Sequence, residues 1–329
     1  MGSDNGPQPF EASLFRELYR DRSFVDRGLG RNDGVDVIIP LLHSTDLWVE
    51  NLKSFYREIP INKLLVGNAG AIDGSPAALS AFPRVELLDH TGVKTLGKSL
   101  ADLISRVETE SFIYLASDVY LPPGWYDSML PNSQSFDWFG CPMQIVVMMD
   151  YPLDYSGRRP LVGAQMGRTD AFEGINDFVD DDFIYRNEEF ILDQYVRNRG
   201  RRSGATHDTY FFHQQTRRRT LGFELAVTDV ELHIVPQPSE QDRVLQTQAY
   251  GLIKYCNPTD HQTINATVGA LNNLVASKTV DKQEVVYFAR QHNPAWIPYV
   301  RSAFSWRKVV RRKLGVVVRA FYGRFASRG

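Results

Sequence analysis

The sequence has few cysteines and no long apolar segment. Only Cys141 and Cys256 occur among its 329 residues, far apart and in no CxxC pair. This pattern indicates neither a disulfide framework nor a thiolate zinc site, and it favours a reducing compartment. No apolar run reaches the length of about 18 residues that a membrane-spanning helix needs, and residues 1–9 lack the basic and apolar regions of a signal peptide. We therefore expect a cytoplasmic protein with an ordinary globular core.

Acidic residues are absent from the C-terminal end of the chain. Residues 301–329 contain nine Lys or Arg and no Asp or Glu, whereas the rest of the chain has 28 basic and 39 acidic residues. A body this acidic argues against a nucleic-acid partner, because such a partner needs basic residues spread over one face. Residues 301–329 therefore form a basic segment whose charge is opposite to that of the acidic body.

Strands alternate with helices after a predicted short helix at residues 10–27. Apolar, β-branched runs predict strands, and apolar residues at helical spacing predict the helices between them. The predicted strands are 35–40, 63–69, 85–90 and 111–117, followed by a strand-like run over 137–147, and the helices include 46–58 and 97–107. This alternation predicts right-handed βαβ crossovers and an α/β fold with a mostly parallel sheet.

One carboxylate stands at the exit of the fourth predicted strand. Asp118 follows the run that begins at Ser111, and Pro122 and Pro123 prevent the strand from continuing. Ligands of open α/β sheets bind beyond the carboxyl ends of the strands, which makes Asp118 a candidate site residue. The alternative is that Asp118 caps the helix expected over Trp125–Leu130.

Four segments, in order and spacing, resemble the inverting, family 2-like glycosyltransferases of the GT-A fold. They are IIP at 38–40, LLVGNAGAIDGS at 64–75, Leu-Gly-Lys at 96–98 and FIYLASDVYLPPGW at 112–125. The resemblance covers roughly residues 35–215. It implies a nucleotide-diphosphate-sugar donor lying across the first strands and a divalent metal at the acid after the fourth.

The resemblance implies a set of donor-binding residues. They are Pro40, Asn68, Asp73, Lys98, Ser117, Asp118, Gly163 and Arg217. At Gly163 a glycine lets the backbone approach a ligand closely, although an ordinary turn would also explain it. Arg217 begins an Arg run that is either solvated surface or a partner for the diphosphate.

Two positions depart from the family pattern. Gly67-Asn68 stands where an Asp commonly reads the nucleotide base, and the nearest acid is Asp73. Ala116 stands where the two-acid form of the metal motif has a further Asp. The sequence therefore leaves the base of the donor open.

The resemblance also implies the metal ligands. His213 ends a Tyr-Phe-Phe strand 24 positions after Glu189, and several relatives place a metal-binding histidine at about that separation. We expect Asp118 and His213 to hold Mn²⁺ or Mg²⁺, with diphosphate oxygens and water completing the shell. His207 is the alternative ligand.

Glu188 and Glu189 open a helix predicted to end at Gly200. This pair occupies the place of the family's Glu-Asp, whose second acid acts as general base, so the resemblance assigns catalysis to Glu189 with Glu188 beside it. The alternative is that both acids are there because the helix dipole favours negative charge in a first turn.

Beyond Pro236 the pattern predicts helices at about 240–256, 260–276 and 280–291, and then a basic amphipathic helix over 306–325. Such a helix suits an anionic membrane surface, on the inner face of a membrane. The alternative is a terminal helix docked on the body. We thus expect an N-terminal helical extension (1–34), a GT-A catalytic domain (35–235) and a helical C-terminal region (236–329).

The predicted function is metal-assisted transfer of one sugar, with inversion, to a hydroxyl of a glycan, lipid-linked or protein acceptor. A nucleotidyltransferase that makes nucleotide-sugars is one alternative, although its Gly-rich, basic signature after the first strand is absent. A sugar-binding or membrane-bound scaffold with a decayed site is another, motivated by Gly67 and Ala116.

Overall fold

The chain forms two compact units. The sheet unit comprises residues 1–181 and 195–235, and the helical unit comprises residues 182–194 and 236–329. The computed structural model describes residues 23–42, 44, 47–70, 75–93, 95–148, 163–180, 188–216, 249–259, 261–277 and 280–304. Asp73, Arg217 and the predicted basic helix at 306–325 lie outside these residues.

The sheet unit is built on a seven-stranded, mostly parallel sheet. Across the sheet the strands are β3 (Val85–Asp89), β2 (Ile61–Asn68), β1 (Val35–Leu41), β4 (Ser111–Leu115), β8 (Ala164–Arg168), β6 (Trp138–Gly140) and β9 (Ser203–Ala205). The first four are parallel, whereas β8 runs antiparallel to both of its neighbours. The predicted α/β class and mostly parallel sheet are confirmed.

A second sheet of three strands lies in the same unit. Its central strand is β10 (Phe211–Thr216), which pairs antiparallel with β5 (Val119–Tyr120) and parallel with β7 (Met143–Met148). The run predicted as one strand over 137–147 is therefore two strands, β6 and β7. The break falls at Pro142, which has no N–H to donate to a ladder.

Six α-helices of the described residues lie between positions 48 and 198, among the strands. They are α1 (Trp48–Glu58), α2 (Ser75–Ala78), α3 (Leu96–Ser105), α4 (Trp125–Met129), α5 (Ile175–Phe178) and α6 (Glu188–Asn198). α1 buries Leu52 and Phe55 in the same apolar core as Val37 and Ile39 of β1. α3 begins where the hydroxyl of Thr95 accepts a hydrogen bond from the Lys98 N–H, and it packs on β1.

The helical unit has an apolar core of its own, around Trp296. Residues 249–255 are helical, followed by α7 (His261–Ala276), α8 (Lys282–His292) and α9 (Ile297–Ala303). The Trp296 indole is buried and donates to the carbonyl of Cys256 at 2.6 Å. The predicted helices are confirmed where the chain is described, but α9 was not predicted. Pro298, which reads as a helix breaker, lies in its first turn, where proline is tolerated.

Residues 23–26 are not helical, and the earlier part of the helix predicted over 10–27 falls outside the described residues. None of the helices described here is long and apolar enough to cross a membrane.

Candidate functional site

Asp118 lies in a tight turn that leaves β4 at its carboxyl end. The strand stops at Leu115, earlier than predicted, and the turn is closed by a hydrogen bond from the Val119 N–H to the Ala116 carbonyl at 3.3 Å. The Ala116 N–H donates to the carbonyl of Gly163 at 2.8 Å, which ties the turn to the start of β8. This turn fixes the backbone at Asp118, whose side chain is only 3% exposed.

A second set of hydrogen bonds holds the turn from the other side. The carbonyl of Ser117 accepts from the Asn51 amide at 3.1 Å and from the Ser44 hydroxyl at 3.0 Å. Asn51 is fully buried in α1, on the face that also buries Leu52 and Phe55. A polar residue on an apolar helix face was the signal that could have identified it.

The carboxylate of Asp118 contacts the imidazole of His213. β5 and β10 pair with Val119 opposite His213, so the residue before Val119 lies beside the histidine. Asp118 Oδ2 and His213 Nε2 are 3.2 Å apart. Of the two histidines considered from the sequence, His213 is therefore the one that the structure places at Asp118, whereas His207 is exposed and lies near Asp208.

The expectation that His213 ends its strand is wrong. His213 is the third residue of β10, which continues to Thr216 and keeps pairing with β7. The sequence pattern was misleading here, because Gln214, Gln215 and Thr216 are polar although they lie in a strand.

Burial sets the charge of His213. Its side chain is 21% exposed, and burial lowers its pKa from 6.5 to about 4. The imidazole is therefore neutral at pH 7, so its contact with Asp118 is not an ion pair. A neutral imidazole has a nitrogen lone pair that is free to bind a metal ion.

The spacing of this pair fits two ligands of one divalent cation. Two ligand atoms that bind Mg²⁺ at right angles, each at about 2.1 Å, lie about 3 Å apart. Within the described part of the chain, no group of three or more His, Cys, Asp or Glu side chains could hold a metal ion. Among the described residues the site thus offers two ligands, which suits an ion whose remaining ligands are substrate phosphates and water.

Gly163 has a backbone conformation that favours glycine. Its φ angle is +86°, and a Cβ there would be 3.5 Å from both Phe211 and Val119, an ordinary contact distance. The backbone angle, rather than crowding, therefore accounts for this glycine. The residue predicted to approach the donor also supports the Asp118 turn.

Gly67, which stands where the family commonly has an acid, is explained by the side chain of His90. A Cβ on Gly67 would lie 2.3 Å from His90 Nδ1 and 3.1 Å from the Ser99 hydroxyl. His90 is buried, with Nδ1 2.7 Å from Ser99 Oγ and Nε2 2.9 Å from Asp102 Oδ2. This buried network occupies the space that a larger residue at position 67 would need.

Pro40 and Asn68 lie near the carboxyl ends of adjacent strands. Pro40 pairs with Gly67, and Leu41 pairs with Asn68, so both predicted donor residues are at the edge of the sheet that β4 also reaches. The Asn68 carboxamide accepts from the Gly70 N–H at 3.1 Å, which forms a local turn.

Lys98 lies in the first turn of α3, and its ammonium group donates a hydrogen bond to the carbonyl of Asn176 in α5. In this structure, therefore, the predicted donor-binding ammonium holds two elements of the sheet unit together.

The two predicted catalytic acids begin α6 and belong to the helical unit, whereas Asp118 and His213 belong to the sheet unit. Glu189 is 8% exposed. The side chain of Glu188 is not among those that the structure describes.

No family model and no curated protein matches this sequence. Solved structures do resemble it. GalNAc-T7, solved with UDP, GalNAc and Mn²⁺, superposes with a TM-score of 0.53 over 83% of this chain and 57% of that one, at 9% identity. This chain has the GT-A fold of nucleotide-sugar transferases.

Two further structures resemble this GT-A chain. Residues 1–349 of S. aureus TarS, in complex with UDP, match 82% of it and 86% of TarS 1–349, with 12% identity and a TM-score of 0.49. The mannosyltransferase PcManGT from Pyrobaculum calidifontis, with GDP-Man and Mn²⁺, matches 93% of it and 86% of that chain, with 11% identity and a TM-score of 0.45. At such identities the likeness establishes the fold alone, and we base it on GalNAc-T7.

Proposed function

We propose that this chain transfers a sugar from a nucleotide-diphosphate donor to a hydroxyl group of an acceptor. The contact between Asp118 Oδ2 and His213 Nε2 carries the proposal, because it joins two metal-ligand types at the carboxyl edge of the parallel strands. This edge is where open α/β sheets bind their ligands. The shared fold with GalNAc-T7, solved with UDP, GalNAc and Mn²⁺, supports the same class of donor.

Asp118 and His213 would hold a divalent cation, Mn²⁺ or Mg²⁺. When bound, such an ion offsets the negative charge that develops on the leaving diphosphate. Because His213 is neutral, the pair brings only one negative charge to the cation. The remaining positive charge is then available to the diphosphate of the donor.

Glu189 is the proposed general base, with Glu188 as the neighbouring candidate. The carboxylate takes the proton of the acceptor hydroxyl, the acceptor oxygen bonds to the anomeric carbon, and the bond from that carbon to the diphosphate breaks. A single displacement of this kind inverts the anomeric carbon. The assignment of the general base is supported by the position of Glu189. It is a buried acid in the first turn of α6 that coincides with the family motif.

The proposal assigns the donor to the residues that the resemblance implies. They are Pro40, Asn68, Asp73, Lys98, Ser117, Asp118, Gly163 and Arg217. Of these, Ser117 and Gly163 lie in or against the Asp118 turn. The acceptor in this proposal is a glycan, a lipid-linked sugar or a protein.

Release of nucleoside diphosphate from UDP- and GDP-sugars, with Mn²⁺ and with EDTA, tests the proposal. Wild-type protein should release it only with the metal, and Asp118→Ala should abolish turnover while the fold is retained. Asp33→Ala is the matched control, because it makes the same change at an exposed carboxylate that pairs with exposed Arg31. Unchanged turnover in Asp118→Ala would remove Asp118 from the site.

A further inference from the structure

The helical unit has an open surface cavity of about 670 Å³ beside α8 and α9 that the proposed chemistry does not use. Its lining includes the cations Lys282, Arg290 and Arg301, the acid Glu284 and the aromatic side chains of Tyr287 and Phe304. We call this cavity the basic pocket.

Positive charge exceeds negative charge in the basic pocket by two. Lys282, Arg290 and Arg301 are exposed, and within the described residues none of them forms an ion pair. Glu284 is the one acid among the lining residues. Arginine forks around a concave surface are well shaped for phosphate oxygens.

Aromatic side chains give the basic pocket an apolar part. Tyr287 is 62% exposed, which is unusual for a large side chain, and the Lys282 ammonium lies 6.0 Å from the centre of the Phe304 ring. Amphipathic rings beside long basic side chains suit a boundary between water and an apolar phase. A small soluble phosphate would use the cations and leave Tyr287 without a role.

We propose that the basic pocket binds the phosphate group of an anionic lipid headgroup. The chain itself favours this source of phosphate. Directly after Phe304 come residues 305–329, which contain eight Lys or Arg and no acid. The basic pocket and this segment are thus adjacent in sequence and both attract an anionic surface. The proposal goes beyond sugar transfer, since none of these residues takes part in the proposed reaction.

The test uses the full chain and vesicles of phosphatidylcholine with phosphatidylglycerol, compared with pure phosphatidylcholine. Wild-type protein should cosediment with the anionic vesicles only. Arg290→Gln with Arg301→Gln should bind them at least on the order of tenfold more weakly, because each basic residue near the surface contributes several-fold. Both side chains are exposed, so the variant should keep the melting temperature of the wild type.

Arg199→Gln with Arg202→Gln is the matched control, because it removes two exposed charges of the sheet unit. It should bind anionic vesicles nearly as well as the wild type. Equal loss in both double variants would mean attraction by net charge alone, and no loss in the pocket variant would mean that the pocket is not used. Either result overturns the proposal.

Two further arms identify the source of the phosphate. Hydrogen exchange should show protection of 282–292 with anionic vesicles, and Tyr287→Ala, which keeps every charge, should also weaken vesicle binding. If glycerol phosphate in solution protects 282–292 as well as vesicles do, while Tyr287→Ala binds vesicles normally, the ligand is a soluble phosphate and the lipid assignment fails.

Discussion

His213 couples the proposed metal site to pH. Its folded-state pKa of about 4 lies below the ordinary value of 6.5, so the unfolded chain binds more protons between those two pH values. The folded state therefore loses stability as pH falls from about 6.5 to about 4, by at most about 3 kcal/mol. His213→Gln should lack this loss in metal-free urea unfolding. Parallel pH profiles for wild type and variant would contradict the buried, neutral imidazole.

Glu189 offers a second test on the scale of one residue. Glu189→Gln keeps the shape of the side chain and removes the proton acceptor, so transfer should fall by at least about 100-fold while donor binding survives. Glu188→Gln is the matched control and should transfer normally, with the product anomer checked by NMR. If Glu188→Gln alone loses activity, the base is one residue earlier.

Single residues also show which parts of the candidate site could be predicted from the sequence and which could not. Asp118 was identified because two prolines follow its strand, and His213 was selected by its distance from Glu189 in the family pattern. Their contact depends on the pairing of β5 with β10, which are far apart in sequence, so no local pattern reveals it. The same holds for Gly67, where a larger residue would collide with His90, the residue that directly follows β3.

On the scale of elements, the Asp118 turn depends on the start of β8. Gly163→Ala should destabilise the protein by about 1–2 kcal/mol, because a residue with a Cβ is strained at a φ of +86°. Gly269→Ala is a control with the opposite sign. Gly269 lies within α7 with open space around it, so alanine should stabilise by about 1 kcal/mol. Urea unfolding measures both changes in the free energy of unfolding. If both variants change this free energy in the same direction, this account of Gly163 is contradicted.

The elements themselves were largely predictable, because alternating β-branched runs and amphipathic stretches have strong periodic signals. The residues at which the elements end were less predictable. β4 stops at Leu115 rather than at residue 117, since Ala116 turns to bond with Gly163 on another strand. α9 begins with a proline in its first turn, which local propensity alone treats as a break.

On the scale of the whole molecule, the parallel order of β3, β2, β1 and β4 brings the ends of β1 and β2 and the turn after β4 to one edge of the sheet. Chain direction alone predicted this edge, since right-handed crossovers leave little choice of topology. Residues 182–194, which include Glu188 and Glu189, group with the helical unit, whereas the sequence pattern places them in the catalytic domain at 35–235.

The coordination of Mn²⁺ is the most direct test of the central claim. Pulsed electron paramagnetic resonance of the protein with Mn²⁺ and UDP or GDP detects a nitrogen bound directly to the ion. We predict such a nitrogen in the wild type and in Asp33→Ala, and its loss in His213→Gln. Bound Mn²⁺ without a nitrogen ligand in the wild type, or a nitrogen signal that persists in His213→Gln, would contradict the assignment of Asp118 and His213 as the metal-binding pair.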